Sequence, residues 1–306
     1  MRKLSLLSLA AALLLMSVGM SSCSDTDDLG QGGGSSKEQK DDGNGGNEGE
    51  GGDHGGEGGE EGGEGGEGGG GEESDAPVPI ANVSAGDVGK VIASDKYVYS
   101  SAASAQAAGV KICAVVAYVG NDTGEENYRH GLAISMKNFN GNGFPWKNTY
   151  GVLDNPAQYN LISKALEAKE SGNSLTHKDN RHQNSYTWTA FYYAYWNTVG
   201  SDDYISITAP ATTSGWFLPS IFQWNQIING LNNNEAKLTT SDNASLSMFY
   251  ANKKLKALGA EEFRDGAYWS STEYDENNAW LYWANYGKAS DKTKNWNFYV
   301  RSVLAF

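Results

Sequence analysis

The stretch AWLYWANYGKASDKTKNWNFYVRSVLAF, residues 279–306, contains two of the β-strand candidates of this chain. Residues 279–287 and 295–306 are rich in aromatic and β-branched side chains, which suit the half-buried surface of a sheet. The segment between them, residues 288–294, is polar and turn-like. The pattern therefore predicts an antiparallel pair of strands, with the C-terminal strand inside the sheet.

Two more strands are predicted upstream. Residues 110–120, VKICAVVAYVG, are a nearly continuous apolar run, and residues 130–138, HGLAISMKN, contain a second apolar segment. Cys113 lies in the first run and is predicted to be a buried small hydrophobic residue rather than a nucleophile.

Three segments carry helix start and stop signals, and they are residues 154–172, 218–231 and 245–260. In the first, Asn155 is the predicted N-cap, Pro156 the first helical residue and Gly172 the stop. In the second, Pro219 is expected to begin the helix and Gly230 to end it. Because helices and strands occur in blocks rather than in βαβ alternation, the predicted fold class is α+β.

The N-terminus has the features of a lipoprotein signal peptide. Arg2 and Lys3 precede an apolar stretch, residues 4–16, that is too short to span a bilayer. The residues before Cys23 resemble a lipobox, so residues 1–22 are the predicted signal peptide and Cys23 is the predicted lipidation site. The lipid would anchor the chain to a membrane, and plain secretion is the alternative.

An acidic run, residues 24–28, follows directly after Cys23. This order resembles the surface-export signal of Bacteroidetes lipoproteins, and it predicts a lipid-anchored protein of the outer membrane, on the cell surface. The alternative is that the run only begins an acidic linker.

Residues 23–75 are predicted to be a disordered linker. Residues 24–75 contain 22 Gly, 17 acidic and 2 basic residues, which provide little apolar surface to offset the entropy cost of ordering. Residues 76–306 are predicted to form a single α+β globular domain, with 20 acidic and 19 basic residues. A domain without a basic surplus is not expected to bind nucleic acid.

Four short motifs in the C-terminal part resemble a known family. They are GWFLPSIFQW, YWSSTEY, AWLYW and VRSVLAF, in that order. The family includes the C-terminal domain of the Legionella collagen-like adhesin and the Fibrobacter succinogenes major paralogous domain. The resemblance is clearest over residues 215–306 and implies a C-type-lectin-like domain with antiparallel strands and flanking helices.

The motif residues are predicted to be structural. They are Trp216, Pro219, Trp224, Trp269, Ser270 and Arg301. The first three would hold a helix against the sheet, while Trp269 and Ser270 would fill a turn. Arg301 lies in an apolar strand and needs an acidic partner if it is buried, and Glu273 is the expected partner.

A sugar-binding rim is the candidate ligand site. It combines an amide-rich loop with nearby rings, and its residues are Asp275, Asn277, Asn278, Trp280, Trp283 and Trp296. The loop oxygens are ligands that Ca²⁺ could accept, although the calcium motifs of true C-type lectins are absent and no cofactor is predicted. A solvated loop is the alternative.

Residues 186–196 hold seven aromatic rings. A helix would bury Trp188, Tyr192 and Tyr195 on one side, and it would leave Phe191 and Trp196 to face another surface. Core packing is expected for most of these rings, and exposed ones would mark a contact site.

The predicted function is a non-catalytic binding module or adhesin on the cell surface, with glycans as ligands. The alternative is a structural or assembly component of a surface complex or a fimbrial tip, with a surface protein as partner. An enzyme is the third hypothesis. It has little support, because no catalytic Ser or metal motif is present and His177 and His182 are expected to be solvated.

Overall fold

Helices and antiparallel strands build the part of the chain that the computed structural model describes, which is residues 76–139, 141–149, 159–199, 205–206 and 208–306. The predicted α+β class is confirmed. The predicted signal peptide, Cys23 and the linker lie outside the described residues, as do Asn155 and Pro156. The C-type-lectin-like arrangement stays a prediction.

The strands are mostly short. In chain order they are β1 (Val78–Pro79), β2 (Val91–Ala93), β3 (Tyr97–Tyr99), β4 (Ile112–Val119), β5 (Gly131–Ser135), β6 (Phe144–Pro145), β7 (Thr198–Val199), β8 (Ile205–Ser206), β9 (Ala267–Glu273), β10 (Asn278–Trp283), β11 (Lys288–Thr293), β12 (Asn297–Phe298) and β13 (Val303–Ala305). The helices are α1 (Ala102–Ala107), α2 (Ile162–Ala168), α3 (Gly172–His177), α4 (Thr189–Trp196), α5 (Ile221–Asn232) and α6 (Met248–Ala257). Within the described residues, these helices are all too short or too polar to cross a membrane.

A six-stranded sheet has the order β1-β3-β2-β4-β5-β13. The two upstream strand predictions are confirmed by β4 and β5, which pair with Val115 opposite Ile134. Strand β13 pairs with β5 rather than with residues 279–287, so the predicted antiparallel pair is wrong. It is the last strand of the sheet, and the backbone of Phe217 bonds to the outer side of Val303.

A three-stranded sheet has the order β11-β10-β9. Its edge strand β11 covers most of the segment that was predicted to be a loop. The polar residues fit this edge position because the one buried residue of β11 is the apolar Ala289, and charged side chains are common on edge strands. The two faces of this sheet contribute to different hydrophobic cores.

Helix α5 packs its apolar side against β4. Ser220 is the N-cap, and its side chain and that of Gln223 form a capping box directly after Pro219. The predicted stop at Gly230 is wrong, because the helix continues to Asn232 and ends at Asn233 with a φ of 52°. Gly230 lies where α5 crosses β4, and a Cβ there would be 2.0 Å from the carbonyl oxygen of Ala117.

The predicted stop of the first helix at Gly172 is also wrong. Helix α2 ends at Lys169, which has a φ of 47°, and Gly172 instead begins α3, with Ser171 as its N-cap. A Cβ on Gly172 would be 2.4 Å from the side-chain oxygen of Gln223. The glycine therefore permits close packing of α3 against the start of α5.

Candidate functional site

The predicted ligand loop closes the β9–β10 turn with its own polar groups. Asp275 Oδ1 accepts hydrogen bonds from the backbone N–H groups of Asn277 at 2.8 Å and Asn278 at 2.7 Å. The Asn278 side-chain amide donates to Asp275 Oδ2 at 3.0 Å. Asp275 and Asn277 thus form an Asx turn, and the two bonds from Asn278 reinforce it, so these residues have a local structural role.

A lysine ammonium lies next to this loop. Lys294 Nζ is 2.5 Å from Glu273 Oε1 and donates to the carbonyl oxygen of Glu276 at 3.1 Å. The side chains of Lys294 and Glu273 are buried, and the ammonium also lies 4.9 Å from the ring centre of Trp146. The ammonium of Lys294 therefore binds the buried carboxylate of Glu273 at the end of β9 and a carbonyl oxygen of the predicted loop. Within the described residues, no group of three or more His, Cys, Asp or Glu side chains is placed to hold a metal ion.

Arg301 is fully buried, but Glu273 is not its partner, so that prediction is wrong. Its guanidinium donates to the carbonyl oxygen of Ser135 at 2.7 and 3.1 Å, to Asn138 Oδ1 at 3.0 Å and to the carbonyl oxygen of Glu261 at 2.7 Å. Burial lowers the pKa of Arg301 to about 10. Carbonyl oxygens satisfy the fork geometry of the guanidinium without a direct ion pair.

The tryptophans of the motif lie inside the domain. Trp216, Trp224 and Trp269 are buried, and so is Ser270. The indole N–H of Trp224 donates to the carbonyl oxygen of Trp269 at 3.0 Å, and that of Trp269 donates to the carbonyl oxygen of Phe144 at 2.7 Å. These bonds connect α5, β9 and β6.

Trp280 does not belong to a ligand rim. Its ring is 2% exposed, and its indole N–H donates to the carbonyl oxygen of Tyr159 at 2.6 Å. Trp283, three residues later on β10, packs at the edge of a second hydrophobic core, the one that contains Trp146 and Trp269. An odd number of steps along a strand places two side chains on opposite faces, which explains the separation.

Trp283 and Trp296 meet at the surface through two further rings. Trp283 lies 5.7 Å from Tyr286 and 6.5 Å from Phe298 between ring centres, and Phe298 lies 6.4 Å from Trp296. Tyr286 is 43% and Trp296 is 55% exposed, while Trp283 and Phe298 are partly buried. Two of the predicted rim residues are therefore part of one aromatic surface.

The aromatic surface continues onto β6 and α4. Phe298 of β12 is directly opposite Phe144 of β6. Phe144, Phe139 and Tyr193 form a triangle of rings with centres 4.3 to 4.6 Å apart. Tyr193 contacts Tyr192 at 5.3 Å, and Tyr192 lies 6.3 Å from Trp196, which is 43% exposed. We call the whole set the aromatic belt: Phe139, Phe144, Tyr192, Tyr193, Trp196, Trp283, Tyr286, Trp296 and Phe298.

Helix α4 does not orient its rings as predicted. Phe191 is fully buried beside Trp188 and Trp146, while Tyr192 and Tyr195 are only partly buried. The exposed position of Trp196 agrees with the prediction. Because this helix carries rings on nearly every side, its sequence does not indicate which side faces the core.

Two histidines lie at the α4 end of the belt. His182 and His177 have ring centres 4.6 Å apart, and both contact Tyr195. His177 is exposed, as expected, but His182 is buried, so that part of the prediction is wrong. Burial, with a contribution from His177, lowers the pKa of His182.

No known family model matches the chain, and no curated protein matches it. Among solved structures, it is similar to a fimbrial protein from Bacteroides ovatus ATCC 8483, with 18% identity and a TM-score of 0.39. The match covers 72% of this chain and 48% of that one, so the chain spans about half the length of that protein. A likeness of this strength transfers neither fold nor function.

Only part of the belt is predictable from the sequence. Trp283, Trp296 and Trp196 were singled out as candidate contact residues, but Phe139, Phe144 and Phe298 were not. Phe144 and Phe298 lie in two-residue strands that pair only in the folded chain, and Phe139 lies before the first of them. The alternation of side chains along β10 was a usable signal, because it separates Trp280 from Trp283.

Proposed function

We propose that this protein is a non-catalytic module displayed at the cell surface, and that it binds a partner protein through the aromatic belt. The observation that carries the proposal is the belt itself, whose nine rings come from separate segments and remain partly or half exposed. Soluble domains rarely expose a contiguous apolar patch of this kind unless it is a contact site.

The composition and shape of the belt favour a protein as the partner. Trp and Tyr are enriched in protein interfaces and dominate their binding energy. Small ligands prefer concave sites, and none of the cavities of about 620, 460 and 400 Å³ is lined by a belt residue. The belt rings also rest on buried neighbours such as Trp269, 5.0 Å from Phe298, so they are held in place before binding.

The edge of the belt carries positive groups. Lys288 is opposite Trp283, and Lys292 is opposite Ala279, so both lysines project from the same side of β11 as the belt. Lys288 also pairs with the exposed Asp242 at 2.7 Å. A partner with an apolar centre and acidic groups at its rim would complement this arrangement.

Display at the surface rests on the sequence. The lipobox-like residues before Cys23 and the acidic run after it support a lipid anchor and export to the outer face of the outer membrane. Protease treatment of intact cells tests this part of the proposal. If the protein is cleaved only after the cells are lysed, the domain lies inside the cell envelope and the surface location is wrong.

Site-specific photo-crosslinking tests the partner. We would place a photoreactive phenylalanine at Trp296 or Trp196 in the full-length protein, and at Tyr250 as a control, in the cells that produce it. Tyr250 is 55% exposed on α6 and is not in the belt. The two belt positions are expected to crosslink one common protein that the control position does not. Crosslinks only between copies of this chain, or equal patterns from all three positions, would overturn the proposal.

Binding measurements with the crosslinked partner provide a second test. Tyr286→Ala removes a belt ring that is half exposed, and Tyr250→Ala is its matched control. If Tyr286 is one of the dominant contacts, its loss is expected to weaken binding by about 2 kcal/mol. Equal affinities of the two variants would contradict a role for this end of the belt.

A further inference from the structure

A cavity beside the edge strand β1 has the size of a small-molecule site. Its volume is about 620 Å³, which lies within the usual range of such sites. Most of its lining comes from residues 79–81, residues 95–97 and residues 127–130. None of the described lining residues is in the aromatic belt, so the cavity is a separate candidate site.

Most of the cavity wall is apolar. Ile80 and Phe306 are each 6% exposed and belong to one hydrophobic core. Tyr97 is directly opposite Pro79 in the pair of β1 and β3, and 41% of its surface is exposed. Tyr128 is partly buried and adds a second tyrosine ring to the lining. A wall of this kind suits the apolar part of a ligand.

Two cationic side chains also line the cavity. Lys96 and Arg129 are exposed, and neither side chain has a polar partner among the described residues. Asp95 is the only acid among the described lining residues, and its two oxygens already accept hydrogen bonds from the Tyr99 hydroxyl at 2.6 Å and from the backbone N–H of Tyr97 at 3.2 Å. The cavity therefore combines a surplus of positive charge with hydrogen-bond donors that are open to a ligand.

Lys96 has a backbone conformation that lysine rarely adopts. Its φ is 72°, in the left-handed region that favours glycine. Two bonds hold it there, because its N–H donates to the carbonyl oxygen of Ala93 at 3.1 Å and its own carbonyl oxygen accepts from the N–H of Ile80 at 3.0 Å. A strained residue that carries an unpaired cation to a cavity favours a functional role for that side chain.

The position of Arg129 is fixed by the next residue, His130. The backbone N–H of His130 donates to the carbonyl oxygen of Phe306 at 2.8 Å, and its ring Nε2 donates to the carbonyl oxygen of Val83 at 2.6 Å. Both cations therefore extend from backbone that is held in place before a ligand arrives, which lowers the entropy cost of binding.

We propose that this cavity binds a small organic anion in which one carboxylate is joined to an apolar body. The carboxylate would accept two parallel bonds from the guanidinium of Arg129 and pair with the ammonium of Lys96. The apolar body would pack on Tyr97 and Phe306. Because the two cations exceed the one acid of the described lining by a single charge, the site suits a monoanion. This proposal does not depend on the partner protein proposed for the belt.

Saturation-transfer NMR on the full-length protein tests the site. The probes are 3-phenylpropionate, indole-3-acetate and octanoate, each at millimolar concentration. At least one of them is expected to receive saturation from the protein. No transfer to any of the three would overturn the proposal.

Two matched probes separate the contributions of charge and apolar body. The amide of the best-binding acid keeps the apolar body without the charge, and acetate keeps the charge without the body. We expect the amide to bind at least about tenfold more weakly than the acid, and acetate to show no transfer. Equal binding of the acid and its amide, or of the acid and acetate, would overturn the proposal.

A pair of variants locates the binding. Arg129→Gln removes the guanidinium from the cavity, and Lys253→Gln removes a cation from an exposed position on α6 that does not line it. We expect affinity for the best-binding acid to fall about tenfold in the first variant and to stay unchanged in the second. If Arg129→Gln binds as tightly as the unmodified protein, the anion is bound elsewhere and the proposal is wrong.

Lys96→Gly distinguishes a binding role from a structural one. Glycine removes the ammonium but suits the φ of 72°, so Tm should stay the same or rise. Affinity for the acid is nevertheless expected to fall about three- to tenfold. This variant also keeps the test decisive if Arg129→Gln does not fold. Unchanged affinity in Lys96→Gly would overturn the assignment of its ammonium to the site.

Discussion

Replacing Gly230 with alanine should destabilise the protein although alanine is the better helix former. Gly230 is inside α5, and a Cβ there would lie 2.0 Å from the carbonyl oxygen of Ala117 and 3.2 Å from Cα of Tyr118. Ordinary contacts of this kind begin at 3.4 Å, so the helix must move away from β4. That movement loosens the packing of Trp224 and Ile228, which are both fully buried.

The expected magnitude follows from two opposing effects. Alanine gains about 1 kcal/mol of helix propensity over glycine. Overpacking costs about 1–3 kcal/mol and occasionally more, and the upper end applies because the obstacle is backbone of a paired strand that cannot rotate away. We therefore expect a net loss of about 2 kcal/mol in the free energy of unfolding, or about 4–8 °C in Tm for a domain of this size.

Urea unfolding followed by tryptophan fluorescence measures this loss. Gly86→Ala is the matched control, because its Cβ would meet only the Ser84 hydroxyl oxygen, at 3.7 Å. That variant should change stability by less than about 0.5 kcal/mol. If Gly230→Ala is as stable as the unmodified protein or more stable, the close crossing of α5 over β4 is refuted.

Three further predictions concern buried polar groups. Lys294→Met removes the ammonium from buried Glu273 and should cost about 3–5 kcal/mol in urea unfolding. Adding Glu273→Gln should recover most of that loss, and no recovery would contradict the pairing. His182 has a lowered pKa in the folded state, so its contribution to stability is present above pH 6.5 and is lost as pH falls through the folded pKa. The Tm of His182→Gln should therefore decrease less between pH 7 and about pH 5 than the Tm of the unmodified protein. If the Tm of both proteins decreases equally, protonation of His182 does not cause the loss. Burial raises the pKa of Cys113 to about 11, so the native thiol should react far more slowly with a disulfide reagent at neutral pH than the urea-unfolded thiol. Equal labelling of the Cys113 peptide in both states, measured by mass spectrometry, would contradict its burial.

Local patterns identified most elements, but not which strands pair. Residues 110–120 and 130–138 form strands as predicted, and residues 218–231 form a helix, because apolar periodicity and capping residues act over short distances. The partner of β13 is β5, far away along the chain. Such pairing depends on the complete core, which a local pattern does not encode.

The candidate site was only partly predictable for the same reason. The ring pattern of β10 was visible, and strand alternation separates buried Trp280 from Trp283. The continuity of the belt arises from β6 pairing with β12, and each of these strands has only two residues. Two-residue strands leave no periodic signal in a sequence, so the belt appears only when the chain is folded.

The distribution of charge determines how the belt would meet a partner. The net charge of −14 belongs almost entirely to residues 24–75, while residues 76–306 are close to neutral. Charges in water are largely screened beyond about 10 Å at 0.1 M salt, so the acidic residues would influence an approaching protein mainly at low ionic strength. Affinity at the belt would then depend on burial of the rings, which salt hardly weakens. An interface of this kind should therefore have a dissociation rate that changes little with salt and an association rate that does change.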